Sequence, residues 1–311
     1  MEANITIIEI DIEQDIEEQG PFDFILHKVL DYYNERDQPI EVGKAKIDKI
    51  VRYAELHPET VVIDNLEWCW RLTNRKLMME LIRQCTFTLD RTTLFLPRTL
   101  DVSEKTTFTN IKQEMNERHF KFPVLVKAHS AYFDDGAHYM GLVFNVDGLR
   151  KIRKPCLIQE FCNHSGVCYK VFVVGDRFHI CERPSIKNFQ NDSTMAEIRH
   201  SATTNIYFDS FRVSKTGQAF CEDLHESDPN TRAWLSSDEK PNLLDYDVVR
   251  KIIARIRQFS GLYLYGFDIL VEKGTRNYAL IDINQFPSYK GIDEMHFPND
   301  LVHLLKTLKR Y

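Results

Sequence analysis

The chain has 311 residues, 43% of them hydrophobic, and a formal net charge of -6 at pH 7. This length and apolar content suggest two or three compact domains, and no apolar run is long enough to cross a membrane. The acidic balance argues against general binding to nucleic acids or anionic membranes, but a local cluster of cations would still bind a small polyanion.

The N-terminal part of the chain alternates short apolar runs with amphipathic stretches, which is typical of a small α/β domain. In chain order we predict a strand at 24–26, a helix over 44–56, a strand at 61–63 and a helix from Asn74 to about residue 84. Lys28 follows the first strand, at the edge of the sheet where α/β proteins bind their ligands. We expect this domain to span residues 1–86.

Two further α/β units follow, which we place at residues 87–159 and 160–311. The elements predicted for the second unit are a helix over 104–118 and strands at 124–127 and 141–144. Those predicted for the third are strands at 157–161, 169–174 and 178–182 and a helix that begins after Asp245 and ends at Gly261. Residues 184–242 are polar and lack a clear period, and we expect part of them to form a mobile loop region.

The seven cysteines do not indicate a disulfide framework or a zinc site. Their number is odd, no CxxC motif occurs, and most of them lie in apolar, strand-like runs. The N-terminal residues also lack the basic and then apolar order of a secretory signal. We therefore expect reduced thiols and a cytoplasmic location. We also expect a monomer with neither a nucleic-acid nor a membrane partner.

Two apolar strands near the C-terminus carry the strongest chemical signal. The segments 265–271 and 278–287 are joined by a short polar turn, which predicts a hairpin. Asp282 and Asn284 are two residues apart, so their side chains point to the same face of one strand. With Asp268 on the same face of the other strand, two carboxylates and an amide would converge as ligands suited to Mg²⁺. The alternative interpretation is that Asp282 is an ordinary charge on an exposed strand face.

Cations at strand ends indicate an anionic ligand. Lys127 ends an apolar strand and opens into a polar loop that ends at His138, an arrangement that suits a nucleotide phosphate. Lys170 lies within an apolar run, and Arg183 and Lys187 follow the next strand, so that all three crowd one end of a sheet. Clustered cations repel one another unless an anion lies among them, and phosphate is the natural candidate. The alternative for Lys127 is a solvated lysine on a surface hairpin. Taken singly, Lys170, Arg183 and Lys187 are better explained as solvated surface charges, but together with the carboxylates they favour an anionic ligand.

These residues also match a known family in six segments, which run in the family's order and cover nearly the whole chain. They are residues 16–28, 57–64, 137–145, 169–175, 183–189 and 266–289. The most specific features are His138, Lys170, the motif Arg183-Pro184-Ser185 and the motif Asp282-Ile283-Asn284-Gln285-Phe286-Pro287. On these residues the chain resembles the inositol tetrakisphosphate 1-kinases, also described as inositol 1,3,4-trisphosphate 5/6-kinases, which have an ATP-grasp fold.

The resemblance implies an α/β fold of the α+β kind, with three domains and ATP held between the central and C-terminal sheets. It implies phosphorylation of inositol tris- and tetrakisphosphate hydroxyls, with two Mg²⁺ ions held by Asp268, Asp282 and Asn284. The residues implied for the nucleotide site are Arg75, Lys127, Gln159, Glu160, Phe161 and Ser185. Those implied for the inositol phosphate site are Lys28, His138, Lys170, Arg183, Asn284, Ser288 and Gly291. Lys170 and His138 would be catalytic, nearest the transferring group.

The chain departs from the family in two places. Residues 5–10 align with the second strand of family members, so the first strand-helix unit of the N-terminal domain is expected to be missing, which would expose a sheet edge. Ser288 stands where the family commonly has glycine, which would narrow the inositol site. Two alternatives therefore stay open. One is an ATP-grasp carboxylate–amine ligase, and the other is a protein that binds ATP or inositol phosphate without completing the transfer.

Overall fold

A computed structural model describes residues 5–34, 40–131, 135–186, 188–189, 205–216, 244–293 and 295–309. The strands are β1 (Phe24–Leu26), β2 (Val61–Ile63), β3 (Phe87–Leu89), β4 (Thr92–Phe95), β5 (Thr99–Val102), β6 (Val124–Ala128), β7 (Tyr139–Val143), β8 (Cys156–Glu160), β9 (Val167–Val174), β10 (Arg177–Pro184), β11 (Asn205–Asp209), β12 (Leu264–Val271) and β13 (Tyr278–Gln285). The α-helices are α1 (Ile40–Leu56), α2 (Leu66–Arg71), α3 (Arg75–Cys85), α4 (Phe108–Glu117), α5 (Ser210–Thr216), α6 (Tyr246–Ser260) and α7 (His296–Leu308). Short 3-10 helices cover Glu17–Gln19, Val29–Asn34, Asp135–His138 and Asp147–Lys151.

The described strands form three sheets. β1 and β2 pair in parallel, β11-β7-β6-β8-β5 form a five-stranded sheet, and β10-β9-β12-β13-β4-β3 form a six-stranded sheet. The strand pairs on both large sheets are antiparallel, apart from the parallel pair of β13 and β4. β3 and β4 thus join the C-terminal sheet, although they lie in the segment assigned above to the middle unit. The division into 1–86, 87–159 and 160–311 stays a prediction.

Two helices with predicted caps cover one face of the six-stranded sheet. The Asn74 side chain accepts hydrogen bonds from the backbone N–H groups of Lys76 and Leu77, which begins α3. The Asp245 side chain accepts from the N–H of Asp247 and begins α6, and Gly261 ends that helix in the left-handed region at φ 70°. The buried apolar residues of both helices join one core cluster with the sheet, among them Met78, Met79, Leu81, Ile82, Val249, Ile252 and Ile256.

Because this core covers one face of the six-stranded sheet, a ligand would bind on the other face. Val171, Phe267 and Ile283 point into the cluster under α3 and α6 and are almost completely buried. Because successive side chains of a strand alternate between faces, their neighbours Lys170 and Asp268 point to the opposite face. Lys170 and Asp268 therefore lie on the side of the sheet away from the main core.

Asp64, at the end of β2, joins the N-terminal unit to the six-stranded sheet. One carboxylate oxygen accepts a hydrogen bond of 2.7 Å from the N–H of Tyr263, and the other accepts one of 2.6 Å from the N–H of Leu264. Burial raises the pKa of Asp64 to about 6, against the effect of these two bonds. The carbonyl oxygen of Asp64 also lies 2.8 Å from Nε2 of His27, next to Lys28.

The structure departs from the predictions at several elements. Residues 5–10 form no strand, and Ile7 is 91% exposed; a strand needs a neighbour for its ladder, and they have none among the described residues. α4 begins four residues later than predicted, because Thr107 is the residue whose side chain caps it. β11 and α5 were not predicted at all. The rest of the polar stretch, 190–204 and 217–243, lies outside the described residues.

The described cysteines agree with the reduced state predicted from the sequence. Cys69, Cys85, Cys156, Cys162, Cys168 and Cys181 are free thiols, and Cys221 lies outside the described residues. Burial raises the pKa of the Cys85, Cys156 and Cys162 thiols to about 12. None of the helices described is long and apolar enough to span a bilayer.

Candidate active site

A row of three charged side chains crosses the six-stranded sheet on its free face. Asp268 of β12 lies directly opposite Lys170 of β9 on one side and Asp282 of β13 on the other. The Lys170 ammonium donates a hydrogen bond of 3.1 Å to Oδ1 of Asp268. Burial disfavours the Lys170 charge, but the two carboxylates outweigh this and raise its pKa. The predicted convergence of Asp268 and Asp282 on one face is therefore what the strand register shows.

A β-bulge places Asp282 on this face. Asp268 is paired with Asp282, yet the next residue, Ile269, is paired with Leu280, so that Ile281 is an extra residue in β13. In a regular strand Leu280 and Asp282 would share a face. Because of the bulge, Leu280 points into the core while Asp282 points away from it. Asn284, two residues further along, shares the face of Asp282, as predicted.

The atoms around this row fit a divalent cation. Oδ1 of Asp282 and Nδ2 of Asn284 are buried and have no hydrogen-bond partner among the described residues. Burial raises the pKa of the Asp268 carboxyl, and repulsion from Asp282 adds to the rise while Lys170 opposes it. A cation between the carboxylates would remove that cost, and a half-turn of the Asn284 amide would offer its oxygen.

The protein supplies only part of a coordination shell at this place. Among the described residues no group of three or more His, Cys, Asp or Glu side chains is placed to hold a metal. Two carboxylates and an amide are nevertheless a sufficient protein contribution for Mg²⁺, which commonly takes its remaining ligands from water and substrate phosphates. A bound phosphate next to the row would therefore complete the site.

Lys127 and Gln159 form a buried polar pair on the five-stranded sheet. The Lys127 ammonium donates a hydrogen bond of 2.7 Å to Oε1 of Gln159, and Lys127 is only 5% exposed. The interpretation of Lys127 as a solvated lysine on a surface hairpin is therefore wrong. Burial lowers the pKa of Lys127 to about 8, helped by Arg75 and opposed by Asp282 and Asp268. Since those carboxylates act on it, Lys127 lies within electrostatic reach of the charged row.

Arg75 anchors the loop that connects β6 to His138. Its guanidinium donates hydrogen bonds of 2.8 Å to the carbonyl of Ala128, 2.6 Å to that of Ser130 and 2.8 Å to that of Ala137. Three of its donor hydrogens are thus used within the protein. Two donor hydrogens are left for a ligand, and the contact of Arg75 with a nucleotide stays a prediction. Its role in holding the loop was not indicated by the sequence.

Three other residues assigned to the nucleotide site have side chains engaged within the protein. Glu160 pairs with Arg98 through two hydrogen bonds of 2.9 and 3.0 Å. The ring of Phe161 packs against that of Phe189 at 5.1 Å, and Oγ of Ser185 lies 2.7 Å from Nε2 of His164. These contacts fix the wall next to β8. Direct nucleotide contacts of Glu160, Phe161 and Ser185 stay predictions.

An apolar cluster beside the charged row was missed in the sequence analysis. Leu270 follows Asp268 by two residues and Cys168 precedes Lys170 by two, so both share the free face of the sheet. They pack together with Cys162, Ala279, Phe95 and the bulged Ile281. An apolar surface next to this row of charges would suit a flat heterocyclic base. The signal available in the sequence was the alternation itself, read outward from Lys170 and Asp268.

A cleft of about 580 Å³ opens where the N-terminal unit meets the segment after β13. It is lined by Lys28 together with residues 286–293, 297 and 298, which include Ser288 and Gly291. The structure thus brings Lys28 together with Ser288 and Gly291, which lie far from it in the chain and were assigned to the same site. The Lys28 ammonium lies 3.4 Å from Asp31, and its side chain is 46% exposed.

Arg183 packs closely against Gly291 at one wall of this cleft. Nη2 of Arg183 donates a hydrogen bond of 2.9 Å to the carbonyl of Lys290. Gly291 has φ +101°, and a Cβ built there would lie 2.5 Å from the same Nη2. Sγ of Cys181 also donates to the carbonyl of Gly291 at 3.2 Å. Cys181 lies directly opposite Lys170, and its position next to this cleft was not revealed by the sequence. Lys187, which was predicted to join these cations, lies outside the described residues.

His138 lies next to the five-stranded sheet, which also carries Lys127, and not on the six-stranded sheet that carries Lys170 and Arg183. It is exposed at the end of a 3-10 turn, just before β7. Its carbonyl accepts a hydrogen bond of 3.1 Å from Oγ of Ser210, and its ring lies 5.5 Å from that of Phe211. Its catalytic role stays a prediction.

Comparison with known proteins gives a consistent result. Residues 89–306 match the model of the inositol 1,3,4-trisphosphate 5/6-kinase ATP-grasp domain, and residues 2–68 match that of the pre-ATP-grasp domain of the same family. An inositol-tetrakisphosphate 1-kinase of Danio rerio is 32% identical over 308 residues, which cover 98% of this chain and 72% of that protein. One of Xenopus laevis is 32% identical over 310 residues, with the same two shares.

Solved structures agree on the fold. The D-alanine–D-alanine ligase of Bacillus anthracis superimposes with a TM-score of 0.53, over 98% of this chain and 87% of that one, at 11% sequence identity. The ATP-grasp ligase PsnB with minimal precursor, Mg and ADP gives a TM-score of 0.50 at 15% identity, over 86% of this chain and 69% of that one. At such identities the likeness concerns the fold alone, and it confirms the predicted ATP-grasp architecture.

Proposed function

Because the chain belongs to the inositol 1,3,4-trisphosphate 5/6-kinase family, we propose that it transfers the γ-phosphoryl group of ATP to a hydroxyl of an inositol tris- or tetrakisphosphate. Inositol 1,3,4-trisphosphate is the acceptor that the name of the family contains, and we propose inositol 3,4,5,6-tetrakisphosphate, whose 1-hydroxyl is free, for the 1-kinase activity in the names of the relatives. The observation that carries the proposal is the row Lys170–Asp268–Asp282, which crosses the sheet beside a cation-lined cleft.

The nucleotide is assigned to the free face of the six-stranded sheet, between that sheet and the five-stranded one. The apolar cluster around Leu270 and Ile281 would receive the base, and Lys127 would meet a phosphate from the opposite sheet. This assignment is supported by the electrostatic influence of Asp268 and Asp282 on Lys127, which requires the two sheets to approach there.

Magnesium is assigned to Asp268, Asp282 and Asn284. Bound there with ATP, it would neutralise charge on the β- and γ-phosphates. The observation that supports a cation at this place is Oδ1 of Asp282, which is buried and has no hydrogen-bond partner within the described part of the chain. We propose two ions, because two carboxylates and the three phosphates of ATP offer enough oxygens for both.

The acceptor is assigned to the cleft between Lys28 and the segment Ser288–Gly291. Its phosphates would be bound by the ammonium of Lys28 and by Lys170, with Arg183 holding the wall of the cleft in place through Lys290. His138 would donate to a phosphoryl oxygen from the side of the five-stranded sheet. A cleft of about 580 Å³ is large enough for a phosphorylated six-membered ring.

The transfer itself requires alignment and charge neutralisation more than covalent catalysis. The acceptor hydroxyl oxygen forms a bond to the γ-phosphorus while the bond from that phosphorus to the β,γ-bridging oxygen breaks. The electron pair of the broken bond leaves on ADP, and the hydroxyl proton passes to water. Lys170 is hydrogen-bonded to Asp268, which places a positive charge next to the metal ligands where the transferring group would lie.

The test is product formation from ATP and Mg²⁺ with a panel of inositol tris- and tetrakisphosphates, resolved by anion-exchange chromatography. A more highly phosphorylated product that forms in step with ADP is expected, and its position identifies the hydroxyl. A folded protein that binds ATP and Mg²⁺ but phosphorylates no acceptor would leave the second alternative, a binder without transfer. Acyl phosphate trapped from a carboxylate substrate would instead indicate a ligase, which the cations at the cleft do not favour.

The pKa of Lys127 predicts how ATP affinity changes with pH. Burial lowers the pKa of Lys127 to about 8 in the ligand-free protein. Only the protonated ammonium carries the positive charge that binds a phosphate. Above this value each binding event takes up a proton, so the Kd for MgATP is expected to rise towards about tenfold per pH unit. Below it the Kd should be constant.

Isothermal titration between about pH 7 and about pH 9.5 measures this dependence. Lys127→Met, which keeps the length of the side chain without the charge, is the matched control. It should bind MgATP more weakly at neutral pH and lose the dependence on pH. A Kd for the unmodified protein that stays constant over the whole interval would contradict the role of Lys127.

A further inference from the structure

We propose that Phe211 is a positioning residue that holds the His138 imidazole in one orientation for phosphoryl transfer. The inference rests on the proposed kinase function and concerns how the five-stranded sheet contributes to it. The centroids of the two rings lie 5.5 Å apart, and the ring planes are inclined by 31°. Phe211 is 48% exposed, so filling the core does not explain why an aromatic side chain is present there.

The His138 side chain has little else to hold it. It lies at the surface, and within the part of the chain that the structure describes its ring nitrogens make no hydrogen bond. An exposed side chain of this kind changes rotamer on the picosecond to nanosecond scale, and the last torsion of histidine is broad. The ring of Phe211 therefore restricts the orientation of the imidazole while leaving both nitrogens available to a ligand.

Helix α5 gives Phe211 a fixed position relative to His138. Val213, on the buried side of the helix, joins the core cluster of the five-stranded sheet. Oγ of Ser210 donates to the carbonyl of His138, and Asp209 pairs with Tyr139, the residue after His138. Backbone and side-chain contacts therefore connect the helix directly to the residue that it is proposed to orient.

The same helix touches both sides of the active site. Besides its contacts with β11, α5 contacts β10, the strand that carries Arg183. Lys215, one turn after Phe211, places its ammonium 3.9 Å from the centroid of the Phe211 ring, a cation–π contact that also restrains the ring. Phe211 thus lies where the five-stranded sheet meets the strand of the acceptor cleft, which is where an oriented imidazole would be useful.

The ring contact can be tested without catalysis. The Hε1 resonance of His138, identified by its loss in His138→Gln, should carry a ring-current shift from Phe211. Phe211→Leu keeps apolar bulk but removes the ring, and it should move this resonance to the position of a free imidazole. Phe211→Tyr should preserve the shift. A resonance that is the same in the unmodified protein and in Phe211→Leu would overturn the proposal.

The catalytic consequence is tested by a double-mutant cycle. Phe211→Leu is expected to lower kcat about tenfold and to leave the KM for ATP unchanged, whereas Phe211→Tyr should retain most of the activity. In a His138→Ala background, Phe211→Leu should cause no further loss. An equal loss in both backgrounds would overturn the proposal, since Phe211 would then act independently of His138.

A control and a separate outcome keep this test distinct from that of the proposed function. Tyr246→Leu removes an aromatic ring of similar exposure, 57%, from the start of α6 and should leave kcat unchanged. Absence of turnover in the unmodified protein with every acceptor would overturn the kinase function itself. The resonance of His138 would then still decide whether Phe211 orients the imidazole.

Discussion

Asp282→Asn should abolish phosphoryl transfer while leaving the fold intact. The substitution keeps the shape of the side chain and removes one of the two charges that we assign to the metal. Because metal ions contribute several kcal/mol of transition-state stabilisation, kcat is expected to fall by about a thousandfold or more. Binding of the inositol phosphate should be largely retained, since its cations are on other residues.

Three measurements decide this prediction. They are kcat with saturating substrates, the Kd of the acceptor, and the melting temperature, which should change little because the side chain keeps its shape and its buried Oδ1 has no hydrogen-bond partner among the described residues to lose. Asp176→Asn, the same change at a carboxylate with 65% exposure that faces His303, is the control and should behave like the unmodified protein. Joint loss of acceptor binding and of folding in Asp282→Asn would mean that Asp282 is structural.

Gly291→Ala is expected to raise the KM for the inositol phosphate by at least about tenfold and to leave the Kd for ATP unchanged. Two effects add: φ +101° is strained for any residue with a Cβ, and the new Cβ would lie 2.5 Å from Nη2 of Arg183. Either the guanidinium or the loop must move. In both cases the Arg183–Lys290 hydrogen bond that shapes the cleft is lost.

The chain provides a matched control for the strain. Gly274, in the turn between β12 and β13, has φ +75°, and a Cβ there would have no heavy atom within 4 Å. Gly274→Ala therefore carries comparable strain without the collision, and it should alter stability slightly but not the KM. If the two variants bind the acceptor equally well, the close packing of Arg183 against Gly291 does not shape the site.

The sequence was sufficient for the fold and for the centre of the candidate site. Alternation of side chains along two apolar strands predicted that Asp268, Asp282 and Asn284 would share a face, and the register agrees. The alternation was only part of the reason. It would also place Leu280, two residues before Asp282, on the same face, whereas the bulge turns Leu280 into the core. Bulges depend on the pairing of two strands, so the residue periodicity of one strand does not reveal them.

Contacts between distant segments were beyond what the sequence alone could predict. The burial of Lys127 depends on residues that are distant in the chain, so the local pattern left a solvated surface lysine open as an alternative. Phe211 and Cys181 gave no signal because nothing in their neighbouring residues shows that they face His138 and Gly291. The stretch that contains β11 and α5 is polar overall, and its short strand is stabilised by pairing with β7 and by the burial of Ile206 and Phe208.

The N-terminal unit lines the cleft with a single lysine, and the Asp64 contact makes acceptor binding depend on how this unit is docked. Lys28 reaches the cleft only while β1 and β2 are docked, and Asp64 docks them by accepting the N–H groups of Tyr263 and Leu264. Docking and acceptor binding therefore form one thermodynamic cycle. Acceptor binding therefore stabilises the docked arrangement, and a substitution that leaves a fraction of the molecules undocked weakens the apparent acceptor affinity in proportion to the docked fraction that is lost. Substitutions far from the inositol ring can in this way act as changes in substrate recognition.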